Sequence, residues 1–243
     1  MREYRERIYE YYLTGGEKVS DYTLEDSLRL RGPYLRRLVR SFFPQDRKAR
    51  ILDLGCGHGT LLHFCRMEGY DRISGVDCSA QQVAKAREWG IEDVQQGDLL
   101  TALRTMPDAS RDVIIALDVI EHFSKEELMP LIDEVHRVLS AGGRWIIHTP
   151  NGDSPFHGRV RYGDFTHENV FSRSSLQQIL LASGFTEVRC FEDKPIVHGL
   201  KSLLRRVLWM GTRSILLVYL LAETGSFDRG HILSQSFLAV ATK

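Results

Sequence analysis

The chain has 243 residues in which 32 lysines and arginines balance 32 aspartates and glutamates, so its formal net charge at neutral pH is zero. That balance removes the electrostatic case for long nucleic acid as a partner, although basic clusters stand at Arg36-Arg37-Arg40 and Lys201-Arg205-Arg206. The length suffices for one large α/β domain with an ordinary core, and the four cysteines, Cys56, Cys65, Cys78 and Cys190, fit neither a zinc-knuckle nor a redox-pair spacing, which predicts reduced thiols in a cytoplasmic protein.

Residues 1–48 open with MREYRERIYEYY, too charged and aromatic for a secretory signal. They continue with apolar residues at helical spacing (Leu24, Leu28, Leu35, Leu38, Val39, Phe42) up to Pro44, which predicts an N-terminal helical section. The pattern then changes. ARILDLGCGHGT is a short apolar strand running into a glycine-rich turn, and LLHFCRMEGY continues as a helix. RISGVDCS is a second strand ending in an acid, AQQVAKAREWG a helix stopped by Gly90, and VQQGDLL a third strand followed by a loop. RDVIIALDVIEHF holds the fourth strand, Lys125 to Leu139 a helix closed by Ala141-Gly142-Gly143, and RWIIHTPN the fifth strand. Strands alternating with helices at this interval predict a parallel sheet covered on both faces.

Residues 151–171 break the rhythm, and a long irregular segment inside such a domain is expected to be a substrate loop. SRSSLQQILLASGF reads as a capped helix ended by glycine, while TEVRCFE and SQSFLAVAT are strand candidates separated by residues 195–234. Within that separation, residues 200–222 carry apolar residues at helical spacing among Lys201, Arg205, Arg206 and Arg213. Two readings stay open: a helical insertion that covers the active site or makes a homodimer contact, and a peripheral membrane contact at the inner face of the membrane. The longest unbroken apolar run, Ile215 to Ala222, is far short of the ~20 residues that span a bilayer.

Glycines at alternate positions in Asp53–Gly59 let the backbone approach a ligand and aim a helix N-terminus at it. Asp77 ends the second strand, where a carboxylate can accept both hydroxyls of a ribose, or can cap the next helix. Asp98 ends the third, near where an adenine amino group would lie. Together with LSAGGRWIIHTPN, these residues resemble the class I S-adenosylmethionine-dependent methyltransferases. The resemblance implies a Rossmann-like, seven-stranded, mostly parallel sheet with helices on both faces and the last strand antiparallel. It implies a cofactor-binding core over 49–150, with substrate loop, helical insertion and last strands over 151–243. It also implies S-adenosylmethionine held by Asp53, Gly55, Cys56, Gly57, Gly59, Asp77, Cys78, Asp98, Leu99 and Leu117. For Cys56 and Cys78 the plainer reading is small buried thiols.

DVIEH, residues 118–122, follows the fourth strand directly. If Asp118 opens a helical turn, then Asp118, Glu121 and His122 share one face and offer half of an octahedral site for a divalent cation. The motif is similar to that of ubiquinone-pathway catechol O-methyltransferases and of small-RNA terminal ribose methyltransferases. That resemblance implies a metal (Mg, Mn or Zn) held by Asp118, Glu121, His122 and His167, or else a pair that only orients the acceptor. His167 lies in RYGDFTHENVFSR, and His167, His122 and Asp164 are the candidate catalytic residues. The stretches DYTLEDSLRLRGPYL, RYGDFTHE and KPIVHGLKSLLRR resemble small methyltransferases of bacterial surface-polysaccharide and glycolipid biosynthesis, which implies O-methylation of a sugar hydroxyl on a small-molecule or glycan acceptor. A phenolic or quinone-precursor acceptor comes second and small RNA third. A non-catalytic cofactor-binding partner subunit could have lost the glycine turn or the polar residues after strand four, and this chain keeps both.

Overall fold

The computed structural model describes residues 3–11, 23–225, 228 and 230–243. Residues 12–22 of the expected N-terminal helical section, with the Asp21-Tyr22 that opens the polysaccharide-type stretch, lie outside the described residues. In chain order the elements are α1 (Glu3–Tyr11), α2 (Leu24–Phe42), β1 (Ile51–Leu54), α3 (Thr60–Met67), β2 (Ile73–Asp77), α4 (Ala80–Glu88), β3 (Val94–Gln96) and α5 (Leu99–Thr105). There follow β4 (Arg111–Leu117), a 3-10 turn (Ile120–His122), α6 (Lys125–Val138), β5 (Leu139–Pro150), α7 (His157–Arg161), α8 (Arg173–Ala182), β6 (Glu187–Glu192), α9 (Leu200–Thr224) and β7 (Ser236–Thr242).

The strands form one seven-stranded sheet in the order β3-β2-β1-β4-β5-β7-β6. β1 to β5 run parallel, and β7 pairs antiparallel with both β5 and β6. The central strands are apolar on both sides because both faces are covered, and the period of two sorts their side chains between two cores. Leu52, Leu54, Ile114, Ala116 and Ile147 pack with Leu103 of α5, Leu131 and Val135 of α6, and Leu176 and Leu180 of α8. Ile51, Val113, Ile115 and Ile146 point the other way, onto Leu35 and Leu38 of α2, Leu61 and Phe64 of α3, and Val83 and Ala86 of α4.

Four local expectations are corrected. A helix, α5, follows β3 where a loop was expected: Asp98 caps it by accepting from the backbone N–H of Thr101 at 2.8 Å, and Leu99 and Leu103 bury its inner face. α6 stops at Val138 and β5 begins at Leu139, so residues 140–143 are not a helix terminator but an irregularity in the β4–β5 pairing, where Arg111 faces Leu139 and Val113 faces Arg144. The irregular segment 151–171 contains the short α7. Judging membrane length by the run Ile215–Ala222 alone understated α9, which by length and composition is long and apolar enough to cross a bilayer.

Candidate active site

A cavity of about 1280 Å³ opens at the carboxyl ends of β1 to β4, where a parallel sheet leaves backbone groups and loop side chains free to meet a ligand. The glycine turn forms one wall. Gly55, Gly57 and Gly59 all have φ between 53° and 76°, the left-handed region that L side chains avoid. At Gly55 a Cβ would also come within 2.5 Å of Val119. Asp77 closes the turn from below: its Oδ2 accepts from the Gly57 N–H at 2.7 Å and its Oδ1 from the Ser79 N–H at 2.8 Å. Ser79, not Asp77, caps α4. A carboxylate has about four lone-pair directions, so Asp77 keeps acceptor capacity toward the cavity that it lines.

Gly55, Gly57, Asp77, Cys78, Asp98 and Leu99 line this cavity; Asp53, Cys56, Gly59 and Leu117 do not. Asp53 is buried under the turn, and that burial pushes its carboxyl up to about 8. Cys56 packs beneath the turn against Gly75, where an added Cβ would meet its Sγ at 2.7 Å. Gly59 starts α3 tightly against Ile91, and Leu117 packs on the core of α2, α3 and α4. Asp53, Cys56 and Gly59 support the turn from behind, and Leu117 packs at the end of β4; none of the four lines the cavity.

The polar turn after β4 departs from regular helical spacing at its first residue. Asp118 has φ of +57°, a single left-handed residue that redirects the chain before the 3-10 turn. Its side chain is therefore not on the face of Glu121 and His122; it accepts from His148 Nδ1 at 2.6 Å. His148 stands beside it because Leu117 of β4 and His148 of β5 are in register. On its other side His148 Nε2 lies 3.6 Å from Asp193. Burial opposes a charged imidazole there, but Asp118 and Asp193 hold the ring well above its ordinary range, at about 10.

Glu121, His122 and His167 do come together, each offering one ligand atom within 4.8 Å of the others. The loop carrying His167 is fastened to the 3-10 turn: the Glu168 and Asn169 N–H groups donate to the Glu121 carbonyl at 2.8 and 2.9 Å, and the Asn169 side chain donates to the Phe123 carbonyl at 2.5 Å. Thr166 donates to Asp164 at 2.6 Å, so at its 2.8 Å contact with His122 Nδ1 it accepts. That fixes the proton of His122 on Nδ1 and its lone pair on Nε2. His167 Nδ1 donates to the Val160 carbonyl at 3.0 Å, which fixes the same tautomer. Burial and the neighbouring His167 push His122 down to about 4, so it is neutral at pH 7. Glu121 has no exposed surface; burial and the charge of Asp118 raise its carboxyl, Thr149 donates to Oε2 at 3.1 Å, and Oε1 has no hydrogen-bond partner.

This arrangement fits a divalent cation. Two imidazoles present Nε2 while their Nδ1–H groups are held by neighbouring oxygens, the usual way such ligands are oriented, and one carboxylate oxygen is buried without a partner. Asp118 is not part of the set.

Several residues of the cavity carried no signal in the sequence. Arg5, buried, reaches Glu127 at 2.5 Å, and Tyr9 stacks edge-on against His122 at 6.2 Å, so α1 lies over the opening. His58 meets Gln82 at 3.0 Å and Trp89 edge-on at 4.7 Å. Thr166, His148 and Asp193, which touch the site's residues without lining the cavity, were also missed, and only His148, a polar residue near the end of a buried strand, offered a local hint.

Comparison with known proteins is consistent across sequence and structure. Residues 28–189 match the family described as methyltransferase domain. A "probable S-adenosylmethionine-dependent methyltransferase" of Mycolicibacterium smegmatis is 30% identical over 136 residues, 56% of this chain and 51% of that protein. A ubiquinone biosynthesis O-methyltransferase of Chelativorans is 30% identical over 129 residues, 49% of each chain. The chain thus spans about half the length of these curated relatives. A solved structure from Archaeoglobus fulgidus, a SAM dependent methyltransferase, superposes with a TM-score of 0.66 at 22% identity, covering 92% of this chain and 100% of that one.

Proposed function

The chain belongs to the class I S-adenosylmethionine-dependent methyltransferases, and from that premise we propose that it methylates a hydroxyl that has a second oxygen beside it, on a sugar or glycan used in surface polysaccharide or glycolipid. The observation that carries this reading is the Glu121–His122–His167 cluster, two of whose members line the cavity. S-adenosylmethionine supplies a methyl group on a sulfonium sulfur, and a divalent cation held by Glu121, His122 and His167 would lower the pKa of an acceptor hydroxyl and chelate its neighbour. Two imidazoles and one carboxylate suit Mn or Zn better than Mg, which prefers oxygen ligands.

The remaining work belongs to the chain's own residues. The glycine turn, Asp77 and Asp98 bind and orient the methyl donor, and α1 with Tyr9 excludes water above His122. Holding donor and nucleophile in line supplies much of the acceleration for a displacement of this kind. The Asp164–Thr166 pair keeps His122 in one tautomer. His122 is too weak a base at neutral pH to keep a proton, so His167 Nε2 is the proton acceptor wherever no cation takes part.

The ubiquinone-pathway relative favours a second reading, a catechol-like phenol as acceptor. Purified protein would be assayed with labelled methyl donor against nucleotide sugars, glycolipids and catechols, each beside an analogue lacking the adjacent hydroxyl, with and without EDTA. The sugar reading expects transfer to the vicinal diols and not to catechols; the reverse selectivity supports the second. Transfer to compounds without the neighbouring oxygen, unchanged by EDTA, removes the cation and leaves His167 as base.

A further inference from the structure

α9 is held to the body of the protein by one side only. Arg213 donates to Glu192 at 2.9 Å and to the His231 carbonyl at 3.0 Å, and Ser202 and Leu217 are buried on the same side. With 3.6 residues per turn, the opposite face collects Leu200, Leu204, Val207, Leu208, Ile215 and Val218, and all six are more than half exposed, Ile215 at 71%. Among the described residues nothing covers this stripe, which follows a helix of 25 residues, about 37 Å long at 1.5 Å per residue. Scattered apolar residues on a surface are ordinary; a continuous helical stripe is not.

The charges say what covers it. α9 carries four cations, Lys201, Arg205, Arg206 and Arg213, against one acid, Glu223 in its last turn, in a chain whose net charge is zero. Lys201 and Arg205 are exposed beside the stripe, where their stems can lie along it while their heads reach outward. We propose that α9 is a membrane-surface anchor that lies in the plane of an anionic bilayer with this stripe sunk among the acyl chains. A second copy of the helix would bring like charges together around the contact. A crossing orientation would pull Arg213 away from Glu192 and expose the face that holds α9 to the sheet. The inference is independent of the acceptor and holds for any substrate of the cavity.

The test is flotation of the full chain with vesicles of phosphatidylcholine alone or mixed with phosphatidylglycerol. The wild-type chain floats with the mixed vesicles, at least about tenfold more than with phosphatidylcholine, and added salt weakens the difference. The double variant Val207→Asp/Ile215→Asp, which changes only exposed positions, stays at the bottom with an unchanged melting temperature. Lys201→Glu/Arg205→Glu loses the preference for anionic vesicles. A wild-type chain that floats with neither vesicle overturns the proposal, as does a double variant that floats undiminished. Light scattering that finds a wild-type dimer, no flotation, and a monomer in the double variant assigns the stripe to a second copy instead.

Discussion

A carboxylate that has no exposed surface and one oxygen without a partner, as in Glu121, is held either by a proton or by a cation. The two cases part on the stability of Glu121→Gln. Where a proton holds the carboxyl, the amide keeps the shape and the melting temperature at pH 7 stays level or rises slightly; where a cation holds it, the loss of a ligand lowers the melting temperature whenever the cation is present. Turnover falls by about 10² or more, the range lost with an acid–base or cation-binding group, and the residual activity no longer responds to EDTA. Thermal melts alongside steady-state kinetics check both halves. His148 makes an expectation of the opposite kind, about stability. Its folded pKa is about 10, above the unfolded 6.5, so its pairing with Asp118 and Asp193 contributes fully below about pH 6.5 and is lost as pH rises through 10. His148→Gln therefore melts below the wild type near pH 6.5, by roughly 4 °C for a contribution of about 1–2 kcal/mol in a chain this size, and the gap narrows as the pH approaches 10. A gap that stays constant from pH 6 to 10 would remove the charged pairing.

At the scale of elements, the glycine turn separates backbone strain from crowding. Gly90 ends α4 with φ of 75° and open space around it, while Gly55 has φ of 69° and Val119 within 2.5 Å of an added Cβ. Gly90→Ala costs about 1 kcal/mol, the price of left-handed backbone alone, whereas Gly55→Ala adds overpacking and costs about 3 kcal/mol or more; denaturant midpoints distinguish them. This turn and the strands around it were legible because their signals are local: the period of two, a run such as Val113–Leu117, glycines at fixed offsets. α5 escaped because a seven-residue helix shows too few turns to register a period. Asp118 was misplaced because spacing arguments assume uniform backbone, and one residue at φ +57° turns its side chain from the Glu121 cluster to His148. Asp193 and Thr166 became visible only after folding, since each meets its partner across dozens of residues of sequence.

The molecule as a whole has two cores, one on each face of the sheet, and the cavity lies at the sheet end where both stop. Its walls come from the carboxyl ends of β1 to β4, from α1 above and from the loop carrying Asp164 and His167. A ligand that fills it therefore touches segments anchored in both cores and opposes unfolding of the entire sheet. At a concentration of about 100 times its dissociation constant, S-adenosylmethionine adds roughly 2.7 kcal/mol, which for a chain of this length raises the melting temperature by about 5–10 °C. Asp77→Ala loses most of that increase, because Asp77 both lines the cavity and holds the Gly57 and Ser79 N–H groups that set the turn. Gly90→Ala starts from a lower melting temperature and keeps the increase. Scanning calorimetry with and without the methyl donor reads all three proteins. An Asp77→Ala chain that gains as much as the wild type would mean that the donor is held elsewhere than at the carboxyl ends of β1 and β2.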